Sequence, residues 1–207
     1  KAGVEGTNFA VWAPSATFVG VFGDFNAWDK GAHPLSPRGS SGIWELFLPG
    51  VGRGAHYKYW VANGDHGADK CDPVGFLHEV PPRTASIVWP LEYEWQDGEW
   101  MKRRGKVNSL NAPISIYEMH FESWRRVPEE GMRSLTYREM AKPLADHCVT
   151  MGFTHVEFMP LTEYPFSGSW GYQTTGYFAP SSRFGTPQDF MSLLDQLPQS
   201  VVVVILA

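Results

Sequence analysis

The hydrophobic pattern changes character once along this chain, and that change constrains the fold more than any other feature. Before about residue 97, five short runs rich in β-branched and aromatic residues lie between turn signals, at residues 6–12, 17–22, 42–48, 56–62 and 84–89. No helical period separates these runs, which is typical of a small all-β domain. The sequence therefore predicts an immunoglobulin-like β-sandwich over residues 1–97.

After residue 113, strands and helices alternate. The pattern predicts strands at residues 114–120, 154–159 and 201–206, and helices at residues 136–151 and 187–197. Such alternation indicates a parallel sheet of right-handed βαβ units. The continuous apolar run at 201–206 predicts a strand buried on both faces. Residues 98–113 are polar and charged, which is typical of a solvated linker.

The first predicted helix carries strong terminal signals. Thr136 and Glu139 have the spacing of a capping box, and Gly152 can adopt the left-handed conformation after the last turn. Pro143 predicts a kink or a break, because an interior proline costs a helix about 3 kcal/mol. Pro198 is likewise predicted to end the second helix early.

Composition excludes several classes of function. The net charge is −5, and no basic cluster lies outside residues 102–106, which argues against nucleic acid as a partner. Cys71 and Cys148 lack metal-site spacing, so we expect free thiols and no bound metal. No signal-like segment or membrane span is found, and the apolar run at 201–206 is too short to cross a bilayer. These observations predict a cytoplasmic protein with no membrane partner.

Residues 169–185 read SWGYQTTGYFAPSSRFG and are predicted to form an ordered loop. Flat aromatic rings beside polar groups suit a sugar, whose C–H faces stack on rings while its hydroxyls need hydrogen-bonding partners. The rings are Trp170, Tyr172, Tyr177, Phe178 and Phe184, and the polar groups are Gln173, Thr174, Thr175 and Arg183. The alternative is a loop that only covers a core.

Three segments in this order resemble a known family. IYEMHFESWRR ends at Arg126, MGFTHVEFMPLTEYPF covers residues 151–166, and the predicted loop follows. Together they resemble the 1,4-α-glucan branching enzymes of the α-amylase superfamily. The WGY core is similar in debranching and trehalose-releasing relatives, whereas Gln173 and the SRFG ending at Gly185 resemble the branching enzymes.

The resemblance implies that residues 114–207 form the first three βα units of a TIM (β/α)₈ barrel. It implies a retaining enzyme that cleaves α-1,4-glucan and transfers the cut chain to a 6-hydroxyl through a covalent glycosyl-enzyme, without a cofactor. Tyr172 would stack under the sugar at the cleavage point, with Trp170 and Gln173 beside it. In the family the catalytic carboxylates follow later strands, so no catalytic residue is assigned in this chain, and the chain alone is expected to be inactive.

Residues 23–29 and 56–59 resemble the glycan-binding module that precedes the barrel in this family. The resemblance implies that Trp28 stacks on glucose and that Lys58 donates to a hydroxyl. A second stacking Trp of related modules is missing, because residues 64–66 are Gly, Asp and His. Whether the module binds sugar or only braces the barrel therefore stays open. Trp12 and Trp44 are predicted to be core residues.

Two alternatives to a branching enzyme remain, a debranching or trehalose-releasing relative and a non-catalytic glucan-binding protein. Both would bind α-1,4-glucan or glycogen. The strand carboxylates Glu118 and Glu157 are predicted to be paired core residues, while Glu163 and Tyr164 are expected near the C-terminal rim of the barrel. An incomplete barrel can also self-associate through its open edge.

Overall fold

The computed structural model describes residues 3–200 and 202–206, which form two compact units. The first unit comprises the residues up to Pro90 together with Thr175–Ala179. The second comprises Leu91–Thr174 and the residues from Pro180 onward.

The first unit is built of antiparallel strands. They are β1 (Gly6–Trp12), β2 (Phe18–Gly23), β3 (Ser36–Pro37), β4 (Ile43–Pro49), β5 (His56–Asn63), β6 (His66–Lys70) and β7 (Ser86–Ile87), with a 3-10 turn at Asp24–Asn26. One sheet has the order β1-β4-β3, and the other has the order β2-β5-β6 with β7 also beside β5. Phe9 of the first sheet and Val19, Val21 and Tyr59 of the second share one hydrophobic core.

Each of the five predicted runs contains a strand, and the run at residues 6–12 has the predicted bounds. The run at residues 84–89 contributes only the two residues of β7. Strand β6 was not predicted, because its sequence HGADK has no β-branched residue. Its pairing with β5, where Ala62 faces Gly67, makes it a strand.

The prediction that Trp12 is a core residue is wrong, since its side chain is 69% exposed. Side chains alternate between the faces of a strand, and Phe9 and Val11 occupy the core-facing positions of β1. Trp12 therefore points away from the core. Trp44 is partly buried against that core, and its Nε1 donates to the Ala13 carbonyl oxygen at 3.1 Å.

The second unit combines helices with short strands. The helices are α1 (Gly98–Val107), α2 (Phe121–Trp124), α3 (Tyr137–Met151) and α4 (Pro187–Gln199). Its strands, numbered onward, are β8 (Ile116–Met119), β9 (Arg126–Val127), β10 (Arg133–Ser134), β11 (His155–Phe158), β12 (Thr162–Glu163) and β14 (Val203–Leu206). Strand β13 (Gly176–Pro180) comes between β12 and β14 in the sequence and, up to Ala179, belongs to the first unit. Further 3-10 turns are Pro128–Glu130, Ser167–Ser169 and Ser182–Phe184. Strands β8, β11 and β14 form a parallel sheet in the order β14-β11-β8, as the alternating pattern predicted.

The segment expected to be a linker contains helix α1, which buries Trp100. One sequence expectation about strand burial fails in this unit. Strand β14 is not buried on both faces, because Val203, Val204 and Ile205 are only half-buried and Leu206 is exposed. Among the described strands β14 pairs with β11 alone, so it lies at the edge of the sheet. Val201 of the predicted strand lies outside the described residues.

Helix α3 confirms the terminal signals and contradicts the predicted break. Thr136 and Glu139 form the capping box, and Gly152 has a φ of 78°. The helix continues through Pro143, and α4 continues past Pro198 to Gln199. Burying each large apolar side chain contributes about 1.5–3 kcal/mol, so the buried face of α3 outweighs the cost of one proline, about 3 kcal/mol. That face consists of Tyr137, Met140, Ala141, Leu144, Ala145 and Cys148.

The cap of α3 makes its stability dependent on pH. Hydrogen bonds from Arg133, at 2.8 Å to each carboxylate oxygen, and from the Thr136 backbone lower the pKa of Glu139 to about 2. The folded pKa lies below the ordinary value of 4.5, so ionised Glu139 stabilises α3 above about pH 4.5 and loses this effect as the pH falls toward 2. We expect Glu139→Gln to destabilise α3 at pH 7 by about 1 kcal/mol.

Hydrogen exchange of the α3 amides at pH 7 and pH 3 measures this effect. The difference between the original chain and Glu139→Gln should be smaller at pH 3. An equal difference at both pH values would show that the charge of Glu139 does not contribute.

Candidate functional site

A buried carboxylate joins the two ends of residues 163–185, which include the predicted loop and are called here the aromatic segment. Glu163 is only 3% exposed, and its Oε1 accepts from Arg183 Nη1 at 2.9 Å. Its Oε2 accepts from both the backbone N–H and the hydroxyl of Ser182, each at 2.7 Å. Arg183 also donates to the Tyr164 carbonyl oxygen at 2.7 Å, and its guanidinium lies 4.1 Å from the centroid of the Tyr164 ring. These contacts fix residues 163–164 against residues 182–183, so Glu163 has a structural role.

Two buried tyrosines reinforce this arrangement. Burial raises the pKa of Tyr137 and of Tyr164, so both hydroxyls stay protonated at neutral pH and act as donors. Tyr137 donates to the Ser181 carbonyl oxygen at 2.9 Å. Tyr164 donates to Glu122 Oε2 at 3.5 Å. The residues between Tyr164 and Ser181 are therefore held by hydrogen bonds at both ends.

Between these two ends, a tight turn presents Trp170 and Tyr172 to solvent. Their side chains are 55% and 62% exposed. Gly171, between them, has a φ of 90°, and a Cβ built there would lie 2.4 Å from the Pro160 carbonyl oxygen. The Tyr172 backbone N–H donates to the Ser169 carbonyl oxygen at 3.1 Å, and Gln173 is also exposed. The structure thus brings the three predicted sugar contacts together in one surface turn.

One contact of this turn was not predicted. The His120 ring stacks on the Trp170 indole with centroids 5.3 Å apart and planes 30° apart. Fifty positions separate the two residues, and a lone histidine after a strand carries no local signal of such a contact.

Other members of the segment do not join the turn. Phe184 is buried in the hydrophobic core of the second unit, and Arg183 is held by Glu163. The segment is not a continuous loop, because Gly176–Pro180 forms strand β13. Tyr177 and Phe178 lie on that strand and are exposed.

In the first unit, Trp28 and Lys58 lie on one face of the β2-β5 sheet. Trp28 has a φ of 62°, is 43% exposed, and meets the Phe22 ring edge-on with centroids 5.8 Å apart. Phe22 is the cross-strand partner of Lys58, whose Nζ donates to Thr84 Oγ1 at 2.7 Å. Tyr57 and Tyr59 fill the opposite, core-facing positions of β5. An indole and an ammonium group are therefore presented on the outer face.

The same face carries an aromatic ring that the sequence analysis did not consider. Trp60 follows Lys58 by two residues, so strand alternation places it on the same side. Lys30 Nζ lies 4.1 Å from the centroid of a Trp60 ring and pairs with Asp69 at 2.7 Å. The ring of Trp60 is therefore already in contact with a cation.

The two strand carboxylates of the second unit are not paired core residues. Glu118 on β8 is exposed and Glu157 on β11 is half-buried, and they are direct register partners. Neither forms an ion pair with any described residue. They lie on the face opposite Met119, Val156 and Phe158, whose side chains fill the core, so the predicted pairing is wrong.

Comparison with known proteins gives a consistent result for both units. The family described as Carbohydrate-binding module 48 (Isoamylase N-terminal domain) matches residues 1–75. A 1,4-alpha-glucan branching enzyme GlgB from Aquifex aeolicus is 59% identical over 97% of this chain. One from Paramagnetospirillum magneticum is 52% identical over 99% of it. The chain spans 32% and 28% of the lengths of these two relatives.

These identities confirm the resemblance to branching enzymes drawn from the three sequence segments. A solved structure, that of a candidate alpha amylase from Salmonella typhimurium, has a TM-score of 0.71 over 96% of this chain and 30% of its own. At 24% sequence identity, this likeness concerns the fold alone.

Three further findings concern the described part of the chain as a whole. Cys71 and Cys148 are free cysteines, and burial raises the pKa of each thiol. Within residues 3–200 and 202–206, no group of three or more His, Cys, Asp or Glu side chains has a metal-binding arrangement. None of the helices in those ranges has the length and apolar character that crossing a membrane would require.

Proposed function

We propose that this chain is the N-terminal part of a cytoplasmic 1,4-α-glucan branching enzyme. The whole protein would cleave α-1,4-glucan, hold the cut chain as a covalent glycosyl-enzyme and transfer it to a 6-hydroxyl. The observation that carries the proposal is the identity of 48–59% to branching enzymes from several bacteria along nearly the whole chain. None of the relatives named above favours a debranching, trehalose-releasing or non-catalytic protein.

In this proposal the second unit supplies substrate contacts. The exposed rings of Trp170 and Tyr172 can stack on the C–H faces of glucose units, and the amide of Gln173 can bond their hydroxyls. Retaining transfer needs two carboxylates on opposite sides of the anomeric carbon. We assign these catalytic carboxylates to the remainder of the enzyme. Measurable branching by the 207-residue chain alone would contradict that assignment.

The proposed architecture places an immunoglobulin-like β-sandwich in residues 1–97, a linker that includes α1 in residues 98–113, and the first three βα units of a (β/α)₈ barrel in residues 114–207. Two sheets around one core support the first assignment. A parallel sheet with intervening helices supports the third. The open edge of β14 would then receive the next barrel strand, and without that strand it can promote self-association.

The first unit would hold the polysaccharide through Trp28 and Lys58. The exposed Trp28 ring offers a stacking face, and Lys58 can donate to a sugar hydroxyl from the same side of the sheet. Binding there would raise the local concentration of glucan, because a second site on one protein increases overall avidity.

Substitutions in a full-length enzyme carrying this chain separate the two proposed sites. We expect Tyr172→Ala to reduce kcat/KM on amylose by about tenfold or more, because a stacking contact with the reacting sugar is lost. Tyr172→Phe keeps the ring and should retain most of the activity. Unchanged kcat/KM in Tyr172→Ala would contradict the proposed role of the turn.

The sugar-binding role proposed for the first unit is tested by measuring how strongly glycogen retains the enzyme in affinity electrophoresis. Trp28→Ala should weaken retention several-fold and leave kcat on short, soluble maltooligosaccharides unchanged. Trp12→Ala is the matched control, because Trp12 is even more exposed but lies on the other sheet. Equal retention of the two variants would favour a module that only braces the barrel.

A further inference from the structure

We infer that His120 is a positioning residue that holds the Trp170 indole in the orientation needed to receive a glucose unit. This inference rests on the proposed function and adds a residue to the proposed substrate site. It follows from the stacking of the His120 ring on the Trp170 ring, with centroids 5.3 Å apart and planes 30° apart. The near-parallel planes mean that the imidazole covers one face of the indole.

His120 is itself held in place. Its Nδ1 lies 2.8 Å from Ser123 Oγ, on helix α2, within hydrogen-bonding distance. The preceding residue, Met119, is buried in the core and paired in the parallel sheet with Phe158. The backbone of His120 therefore directly follows the fixed strand β8, and one edge of its imidazole is hydrogen-bonded to the short helix α2.

Trp170 needs such a support. Its backbone adopts the left-handed conformation with a φ of 54°, which is uncommon for a bulky residue, and its side chain is more than half exposed. An exposed side chain without lateral contacts samples several rotamers, and a ligand must select one of them on binding. Stacking on His120 restricts that choice before the ligand arrives.

The remaining surface of the indole fits an α-linked glucose chain. With one face against His120, Trp170 has one face left to stack on the C–H groups of a pyranose ring. Tyr172 lies two residues away in the same exposed turn, so the two rings can contact successive units of one chain. His120 would bind no sugar itself and would act through Trp170.

The experiment uses the full-length enzyme with Trp170→Ala, His120→Ala, the double variant, His120→Phe and Ser123→Ala. We expect Trp170→Ala and His120→Ala each to raise KM for amylose about threefold to tenfold with kcat within twofold of the original. The double variant should be no worse than Trp170→Ala, because both changes remove the same contact. His120→Phe should recover most of the loss because it retains a stacking ring, and Ser123→Ala should have a smaller effect in the same direction.

Fluorine NMR of protein labelled with 5-fluorotryptophan reports on Trp170 directly. Its resonance is assigned by its disappearance in Trp170→Phe, and it should shift or broaden in His120→Ala but not in His120→Phe. Additive KM effects in the double variant, or an unchanged resonance in His120→Ala, would overturn the inference. If Trp170→Ala leaves KM unchanged, the sugar-binding role proposed for the turn fails instead, together with the glucose-receiving part of this inference.

Discussion

Replacing Glu163 by alanine is expected to destabilise the second unit by about 3–5 kcal/mol. Arg183 is largely buried, and its Nη1 bonds Glu163 Oε1 at 2.9 Å. Removing the carboxylate leaves that guanidinium without its charge partner and also leaves the N–H and hydroxyl of Ser182 without their acceptor. A buried charge that loses its partner is among the few single changes that cost this much.

The free energy of unfolding of the second unit, from hydrogen exchange of its most protected amides, measures this effect. Glu163→Gln should be less damaging, because the amide oxygen can still accept from Ser182. Asp146→Ala is the matched control, since the Lys142–Asp146 pair on helix α3 of the same unit is exposed and should contribute no more than about 1 kcal/mol. A loss below about 1 kcal/mol in Glu163→Ala would show that the contacts of Glu163 do not stabilise the segment.

Replacing Gly171 by alanine is expected to destroy the geometry of the turn that carries Trp170 and Tyr172. At a φ of 90° a residue with a Cβ is strained, at a cost of about 1–3 kcal/mol. The added Cβ would also lie 2.4 Å from the Pro160 carbonyl oxygen, a backbone atom that cannot rotate away. The turn must therefore rearrange, and both exposed rings move with it.

We expect Gly171→Ala to lower kcat/KM on amylose at least as much as Tyr172→Ala, while helix α3 keeps its protection against hydrogen exchange. Gly105→Ala in helix α1 is the matched control, because nothing lies within 4 Å of the Cβ that it adds. Alanine is also the better helix former, so that variant should be neutral or slightly stabilising. Normal activity of a folded Gly171→Ala enzyme would show that this turn does not bind the substrate.

Much of the secondary structure could be predicted from local signals. The run at residues 6–12 alternates along β1, Thr136 and Glu139 mark the start of α3, and Gly152 marks its end. These signals depend on hydrogen bonds and side-chain periods that repeat over short stretches of chain. The motifs that carry the resemblance to branching enzymes are also contiguous in sequence.

The side of a strand or helix on which an individual side chain lies was harder to predict. Trp12 was expected in the core and Glu118 in an ion pair, yet both are exposed. Phe184 was grouped with sugar-stacking rings and lies in the core instead. Each error concerns which side of an element is covered, and the residues that cover it come from distant parts of the chain.

The sequence by itself determined the main strands, the capped helix and the resemblance to branching enzymes, because these depend on neighbouring residues or on contiguous motifs. Only the tertiary structure decided that Glu163 joins the two ends of the aromatic segment, across twenty residues to Arg183, and that His120 stacks on Trp170 across fifty. Such contacts form only where separate elements are brought together by burial of a shared core, and no local pattern encodes them. For the same reason Pro143 remains inside α3, since the buried face of that helix contributes more stability than the proline removes.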